Sequence, residues 1–277
     1  MSNLNRHINE LKDKGFTVMK VSDRTSQYLC KHFKNQMKFK RKKDDISSFY
    51  PVTTRDKLKS ILNLEILKLI TSYKLKKFIK LNSFKKIADG YFGEESLLTK
   101  IDSYLSYPSN ENILNWHTDM ANPQFKKNSI NEINPINPNR GLLKFSLFLT
   151  DSSNDNVSFA VIPKSHKISI AYKELIYKNL IEYKKYWSIT DFKKILNDKK
   201  IIESLIDATS QETLDNFILN IDFDEGMDTN KFDIHLNATD VVIFDEHTYH
   251  RAKSPKNRNR FIFRFCYGKK KTYTNLS

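Results

Sequence analysis

"TDVVIFDEHTYHRAKSPKNRNRFIFRFCY", residues 239–267, is the stretch that decides the fold. "TDVVIF" (239–244) is a short apolar run bounded by turn residues, the mark of a strand. "RFIFRFCY" (260–267) alternates, with Arg260, Ile262, Arg264 and Cys266 on one face and Phe261, Phe263, Phe265 and Tyr267 on the other. Similar runs stand upstream: "LLTKIDSYLSYP" (97–108), "GLLKFSLFL" (141–149), "VSFAVI" (157–162) and "KFDIHL" (231–236). Short strands between turns, without a long alternation of strand and helix, point to a sandwich or barrel rather than a parallel sheet.

Two helical regions flank these strands. Asn5 to Lys14 reads as a short helix closed by Gly15, followed by the strand-like "GFTVMKV" (15–21). Residues 58–80 repeat apolar positions at helical spacing, and 38–45 are a charge run expected to be a solvated loop. Between 168 and 231 the pattern returns to helix, as an insertion between two groups of strands. The expected organisation is one domain, 1–277. Residues 1–90 form a basic helical front section, 91–167 and 231–268 the β core, and 168–230 a helical insertion or lid.

Charge is uneven. The net charge is +15, and residues 1–90 hold 22 Lys+Arg against 8 Asp+Glu, so the rest is nearly neutral. Compositional bias is the first reading, because Lys, Asn and Ile are abundant throughout; the functional one is a front section suited to an anionic or carrier-linked small molecule, anionic lipid or nucleic acid. Nucleic acid is disfavoured, because neither base-stacking aromatics on an exposed sheet nor a docking motif is visible. The two cysteines, Cys30 and Cys266, are far apart, which excludes a thiolate zinc cluster and argues against a disulfide scaffold. With no apolar leader and no run of 18 apolar residues, a cytoplasmic setting without a membrane span is the expectation.

"NWHTDM" (115–120) raises a chemical possibility. On an extended segment residues i and i+2 point the same way, so the imidazole of His117 and the carboxylate of Asp119 can converge on one ion. Against this stands an ordinary polar turn. A non-haem Fe(II) centre needs two histidines and a carboxylate on one side. The second histidine must therefore come from elsewhere, and His247 and His250 lie just past "DVVIF" with arginines soon after.

These stretches together resemble the phytanoyl-CoA dioxygenase-like family of Fe(II)/2-oxoglutarate oxygenases. The family's ordered motifs fall on His117 and Asp119, on Asp151, on "PKSHK" (163–167), on Asp240, on His250 and on Arg260. "GFTVMKVS" and "ADGYFGE" (88–94) resemble further family segments. Three positions depart: Lys164 and Thr239 stand where the family has glycine, and Ala252 where many members carry Ser or Thr.

The resemblance implies a mainly β, α+β fold whose core is a double-stranded β-helix, or jelly roll. It implies Fe(II) held by His117, Asp119 and His250, with 2-oxoglutarate as co-substrate and O2 as oxidant. The expected reaction hydroxylates an unactivated C–H bond of a small molecule, releasing succinate and CO2. Related halogenases lack the carboxylate that Asp119 supplies. Arg260 is the expected anchor for the distal carboxylate of 2-oxoglutarate, since a guanidinium pairs with a carboxylate through two parallel bonds. Arg264, on the same strand face, is its rival. Trp116 reads as packing, and the insertion's Tyr172, Tyr177, Tyr183, Tyr186 and Trp187 as core or pocket wall. Two alternatives from other classes are a nucleic-acid-binding protein and a jelly-roll module that has lost catalysis.

Overall fold

The computed structural model of the chain describes residues 3–21, 23–38, 66–110, 112–119, 141–152, 159–184, 186–223 and 230–274. Two antiparallel sheets carry the fold. The first runs in the order β1 (Phe16–Lys20), β7 (Asp240–Asp245), β4 (Leu142–Phe148), β9 (Arg260–Lys269), β2 (Ser96–Ser106). The second runs β5 (Phe159–Val161), β8 (His250–Lys253), β3 (Asn112–Asp119), β6 (Tyr186–Ser188). From β3 to β5 and again from β7 to β9 the chain crosses from one sheet to the other at every step. That is the winding of a jelly roll, here with open sheets.

Side-chain alternation divides the apolar residues into three layers. Phe148, Val242 and Phe244 of the first sheet meet Phe159 and Val161 of the second, forming the interior. On the outer face of the first sheet, Phe145, Ile243, Phe263 and Phe265 pack against the front helices α1 (Asn3–Lys14), α2 (Arg24–Lys38), α3 (Ile66–Leu81) and α4 (Phe84–Phe92). Leu11, Phe33, Phe78 and Phe84 are the fully buried contributions of those helices. Each such side chain taken from water stabilises the fold by roughly 1.5–3 kcal/mol. The described helices of the basic front section are thus an outer layer of the same core.

The outer face of the second sheet is covered by the insertion. Its helices α5 (Ser165–Tyr177), α6 (Ile189–Ile195), α7 (Lys199–Ala208) and α8 (Gln211–Asn220) bury Tyr172, Phe192 and Phe217 against Trp116, Trp187 and Tyr249. Ser188 caps α6 through a capping box with Asp191, which fixes where the chain leaves β6. A last short helix, α9 (Lys270–Thr274), follows β9.

Gly15 ends α1 as expected: its amide bonds Leu11 O at 2.9 Å and its φ is +83°. A Cβ there would lie 2.5 Å from His166 Nδ1, so the position also needs the space. One expected strand is not formed. Residues 231–236 make only isolated bridges, Ala160↔Asp233 and Ser152↔Leu236. Asp233 is drawn instead into ion pairs with Arg251 and Lys253, which breaks the alternation.

Of the 58–80 helix, residues 58–65 lie outside the described residues, as do 39–45 of the charge run and 157–158 of the "VSFAVI" run. No helix among the described residues is long and apolar enough to cross a membrane. Cys30 and Cys266 are buried and unpaired, and burial pushes their thiols up to about 12 and about 11.

Candidate metal centre

β3 and β8 are neighbours in the second sheet, and their register sets His117 directly opposite His250. The two rings lie 4.4 Å apart between centroids. Asp119, two residues along β3, projects to the same inner face as His117. His117 Nε2 is 3.7 Å from Asp119 Oδ1, and His250 Nε2 is 3.8 Å from Asp119 Oδ2. One donor atom from each residue lies within 4.8 Å of the others. Two donors each about 2.1 Å from one ion at right angles sit about 3 Å apart, so each His–Asp119 pair closes by under about 1 Å and no pair in the set by more than about 2 Å.

The donor chemistry fits a divalent metal. His117 Nδ1 bonds Asn115 O at 2.6 Å, and His250 Nδ1 bonds Thr248 O at 2.8 Å. A carbonyl can only accept, so each Nδ1 carries the proton and each Nε2 keeps its lone pair toward the shared point. Burial, and then the neighbouring His117, hold the His250 imidazole well below its ordinary pKa, which keeps it neutral and able to ligate.

Burial would raise the Asp119 carboxyl, but the Lys144 ammonium bonded to it acts the other way, and the group is held well below the usual carboxylate range. Lys144, from β4, hydrogen-bonds Asp119 Oδ2 across the interior. Glu246 lies behind this pair, fully buried, with Oε1 accepting from Leu142 N at 2.8 Å. Burial raises its carboxyl above the ordinary value, against the pull of Lys144.

Arg260 begins β9 and is 2% exposed. Its Nη1 bonds Lys253 O at 2.7 Å, its Nε has no partner, and no carboxylate pairs with it among the described residues. Burial alone lowers its pKa to about 10, so it is still charged at neutral pH. A buried guanidinium without a counter-charge is costly, and an incoming carboxylate relieves that cost. Arg264 is differently placed: it makes a two-point bond to Asp102, with Nε to Oδ1 at 3.1 Å and Nη2 to Oδ2 at 2.8 Å.

His247 is turned away from the cluster. Its Nδ1 bonds Asp245 at 2.7 Å and its Nε2 meets Lys173 Nζ at 2.8 Å. His166 faces Lys12 O in the α1–α5 contact. Trp116 points outward from β3 into the second sheet's outer core, beneath the guanidinium of Arg251 at 4.8 Å. Of the insertion's aromatics, Tyr172 and Trp187 are core, whereas Tyr186 is half-exposed and sets its ring edge-on to His117 at 5.6 Å. Asp151 accepts from Ala238 N and Asp240 from Asn237 N, so both tie the turn that opens β7.

The two glycine departures have a backbone meaning. Lys164 (φ +66°) and Thr239 (φ +79°) both adopt the left-handed conformation that glycine favours. Sequence reasoning did not single out Lys144. The available signal was a lone lysine in the apolar run "GLLKFSLFL", which strand parity turns inward.

The sequence model of the family described as Phytanoyl-CoA dioxygenase (PhyH) matches residues 70–265. No curated protein matches the chain. Among solved structures, HygX from Streptomyces hygroscopicus with iron bound has a TM-score of 0.52 at 10% identity, over 96% of this chain and 86% of its own. EctD from S. alaskensis in its apoform has a TM-score of 0.50 at 13% identity, over 97% and 77%. EvdO2 from Micromonospora carbonacea var. aurantiaca has 0.50 at 11%, over 95% and 90%. Likeness at such identity is likeness of fold. The chain spans only 50% of the length of another match, EvdMO1.

Proposed function

The chain belongs to the phytanoyl-CoA dioxygenase family of Fe(II)/2-oxoglutarate-dependent oxygenases, and on that premise we propose that it hydroxylates an unactivated C–H bond of a small-molecule substrate. In this reading His117, Asp119 and His250 hold the metal and Arg260 anchors 2-oxoglutarate. The observation that carries it is the cluster of two Nε2 lone pairs and one carboxylate within 4.8 Å on adjacent strands.

Bound there, Fe(II) with 2-oxoglutarate and O2 supplies the oxidising power for C–H cleavage, with succinate and CO2 released. The chain's own contribution is position and environment. Asn115 O and Thr248 O fix the two imidazole tautomers. Lys144 occupies one oxygen of Asp119, which leaves the other free to ligate. Arg260 offers a buried, charged fork to the distal carboxylate of the co-substrate. Phe148, Phe159, Val161, Val242 and Phe244 fill the interior beside the cluster and exclude water.

The experiment is turnover of 2-oxoglutarate by the full chain in air with added Fe(II). Succinate is expected even without substrate, and its release above that level identifies substrates from a metabolite panel. A turned-over substrate should gain one oxygen atom from labelled O2. A product that gains none would remove hydroxylation and leave the family assignment intact, whereas absence of any succinate would remove the enzyme.

A further inference from the structure

The inner face of the first sheet carries a polar shelf of which the metal centre uses only Lys144. Register places Lys100 of β2 and Lys144 of β4 on either side of Cys266, and Asp102 of β2 and Ser146 of β4 on either side of Arg264. Residues paired directly across strands project to one face. All six therefore share the face from which Lys144 reaches Asp119. Strands lie about 4.8 Å apart and alternate residues about 7 Å along a strand, so Arg264 stands about 8 Å and Lys100 about 10 Å from Lys144 along the sheet.

The shelf carries surplus positive charge. Asp102 is shared by Arg264, at 2.8 and 3.1 Å, and Lys100, at 2.8 Å, and it also accepts from the Tyr104 hydroxyl at 3.2 Å. Two cations thus meet one carboxylate. Asp102 takes Nε and Nη2 of Arg264, and among the described residues no acceptor bonds its Nη1. Tyr104 lies under the guanidinium, 4.8 Å from its ring, and holds its plane. The group is reachable: the Lys100 side chain is 56% exposed and that of Arg264 21%. Among the described residues β2 is the last strand of its sheet, so this shelf lies at the sheet's edge.

We propose that Arg264 and Lys100 form a subsite for an oxyanion of the substrate, a carboxylate or a phosphate, which holds a C–H bond of the same molecule against the His117–Asp119–His250 cluster. The proposal rests on the oxygenase reading and gives the two arginines of β9 separate tasks: Arg260 takes the co-substrate and Arg264 the substrate. It narrows the substrate to a small anionic molecule.

The test uses the full chain loaded with 2-oxoglutarate and Zn(II), which is redox-inert. Ligand-observed NMR follows titration with butyrate, with propyl phosphate and with the neutral butyramide. At least one anion should bind about tenfold or more tightly than the amide, with that preference lost in Arg264→Met and Lys100→Met. Which anion binds separates a carboxylate substrate from a phosphate one. Equal binding of all three probes to the wild type, or a preference that survives both substitutions, overturns the subsite. Should Arg264→Met fail to fold, Lys100→Met and Lys100→Glu, at a more exposed site, decide in its place. Separate titration of 2-oxoglutarate keeps the two readings apart. No binding of it by the wild type removes the oxygenase reading itself. Loss of its binding in Arg264→Met but not in Arg260→Met assigns Arg264 to the co-substrate and ends the proposal.

Discussion

His117 and His250 stand as a direct cross-strand pair, each with its Nδ1 tied to the carbonyl two residues earlier in the chain. Both lone pairs are therefore aimed before any ligand arrives, and the cost of ordering them has been met in folding. A site prepared in this way loses its function when one donor is removed, because the other two cannot rearrange to compensate.

Asp119→Ala and His250→Ala should each lower metal affinity by more than the roughly 10–100-fold that loss of an outer partner costs. Zn(II) titration checks the affinity, and succinate formation should fall to background. Near wild-type turnover in Asp119→Ala would mean that the ligand set is wrong.

Arg260→Met should raise the KM for 2-oxoglutarate by about 100-fold, the loss of about 3 kcal/mol expected for charge-assisted bonds. Arg260→Lys should fall between, because an ammonium keeps the charge but not the fork. Steady-state rates against 2-oxoglutarate concentration measure both. An unchanged KM in Arg260→Met would detach this residue from the co-substrate.

Lys164 and Thr239 hold left-handed backbone at a cost of about 1–2 kcal/mol each. Lys164→Gly and Thr239→Gly should therefore raise the urea midpoint, by about 1 kcal/mol of stability apiece after the entropy of the freer unfolded chain is counted. The gain should be larger for Thr239, whose branched Cβ suits that region least. Lower midpoints would show that side-chain contacts at these turns matter more than backbone.

Arg251 is buried beneath the second sheet, stacked on Trp116 and bonded to Asp233 at 2.7 Å. Asp233→Ala leaves a buried cation short of its counter-charge and should destabilise by about 3–5 kcal/mol. The double variant with Arg251→Met should recover part of the loss. Equilibrium urea unfolding of both variants measures this, and no recovery would point to Arg251's other contacts as the larger contribution.

Acid should weaken the β2–β9 edge. Burial raises the Asp102 carboxyl, but the bonds from Arg264 and Lys100 outweigh it and bring it below its ordinary value. A carboxyl depressed in the folded state adds stability that is present in full above the unfolded pKa. That stability is lost as pH falls through the folded value. The wild type should thus lose stability below about pH 4 more steeply than Asp102→Asn. Parallel acid titrations by circular dichroism would expose a wrong sign.

How much of this was legible in the sequence depended on what each residue had to satisfy. β7 and β9 were readable because alternation or an unbroken apolar run marks strands that are covered on one or both faces. β3 hid its nature: its first half leaves Ile113 and Leu114 exposed, and its second half spends alternate positions on polar ligands. β6 and β8 are short, and "HRAK" carries no apolar signal, because its histidine faces the cluster and its arginine a buried ion pair. Residues 231–236 showed the opposite failure, since apolar alternation there serves packing without a continuous ladder. Helical periodicity located α1, α3 and the insertion helices but neither α2 nor α4, nor the sheet face each would cover. His117, Asp119, His250 and Arg260 were reachable through ordered motifs. Lys144, Asp102 and Glu246 were not, since their importance arises only when register lines up strands distant in the chain.

β3 presents Trp116 and Thr118 to one side and His117 and Asp119 to the other. Slipping this strand by a single position would drive an indole into the polar chamber and strand an imidazole in oil. Misfolded chains that keep catalytic competence are therefore forbidden here: whatever preserves the chemistry must also preserve the hydrophobic seal, and selection on either one maintains both.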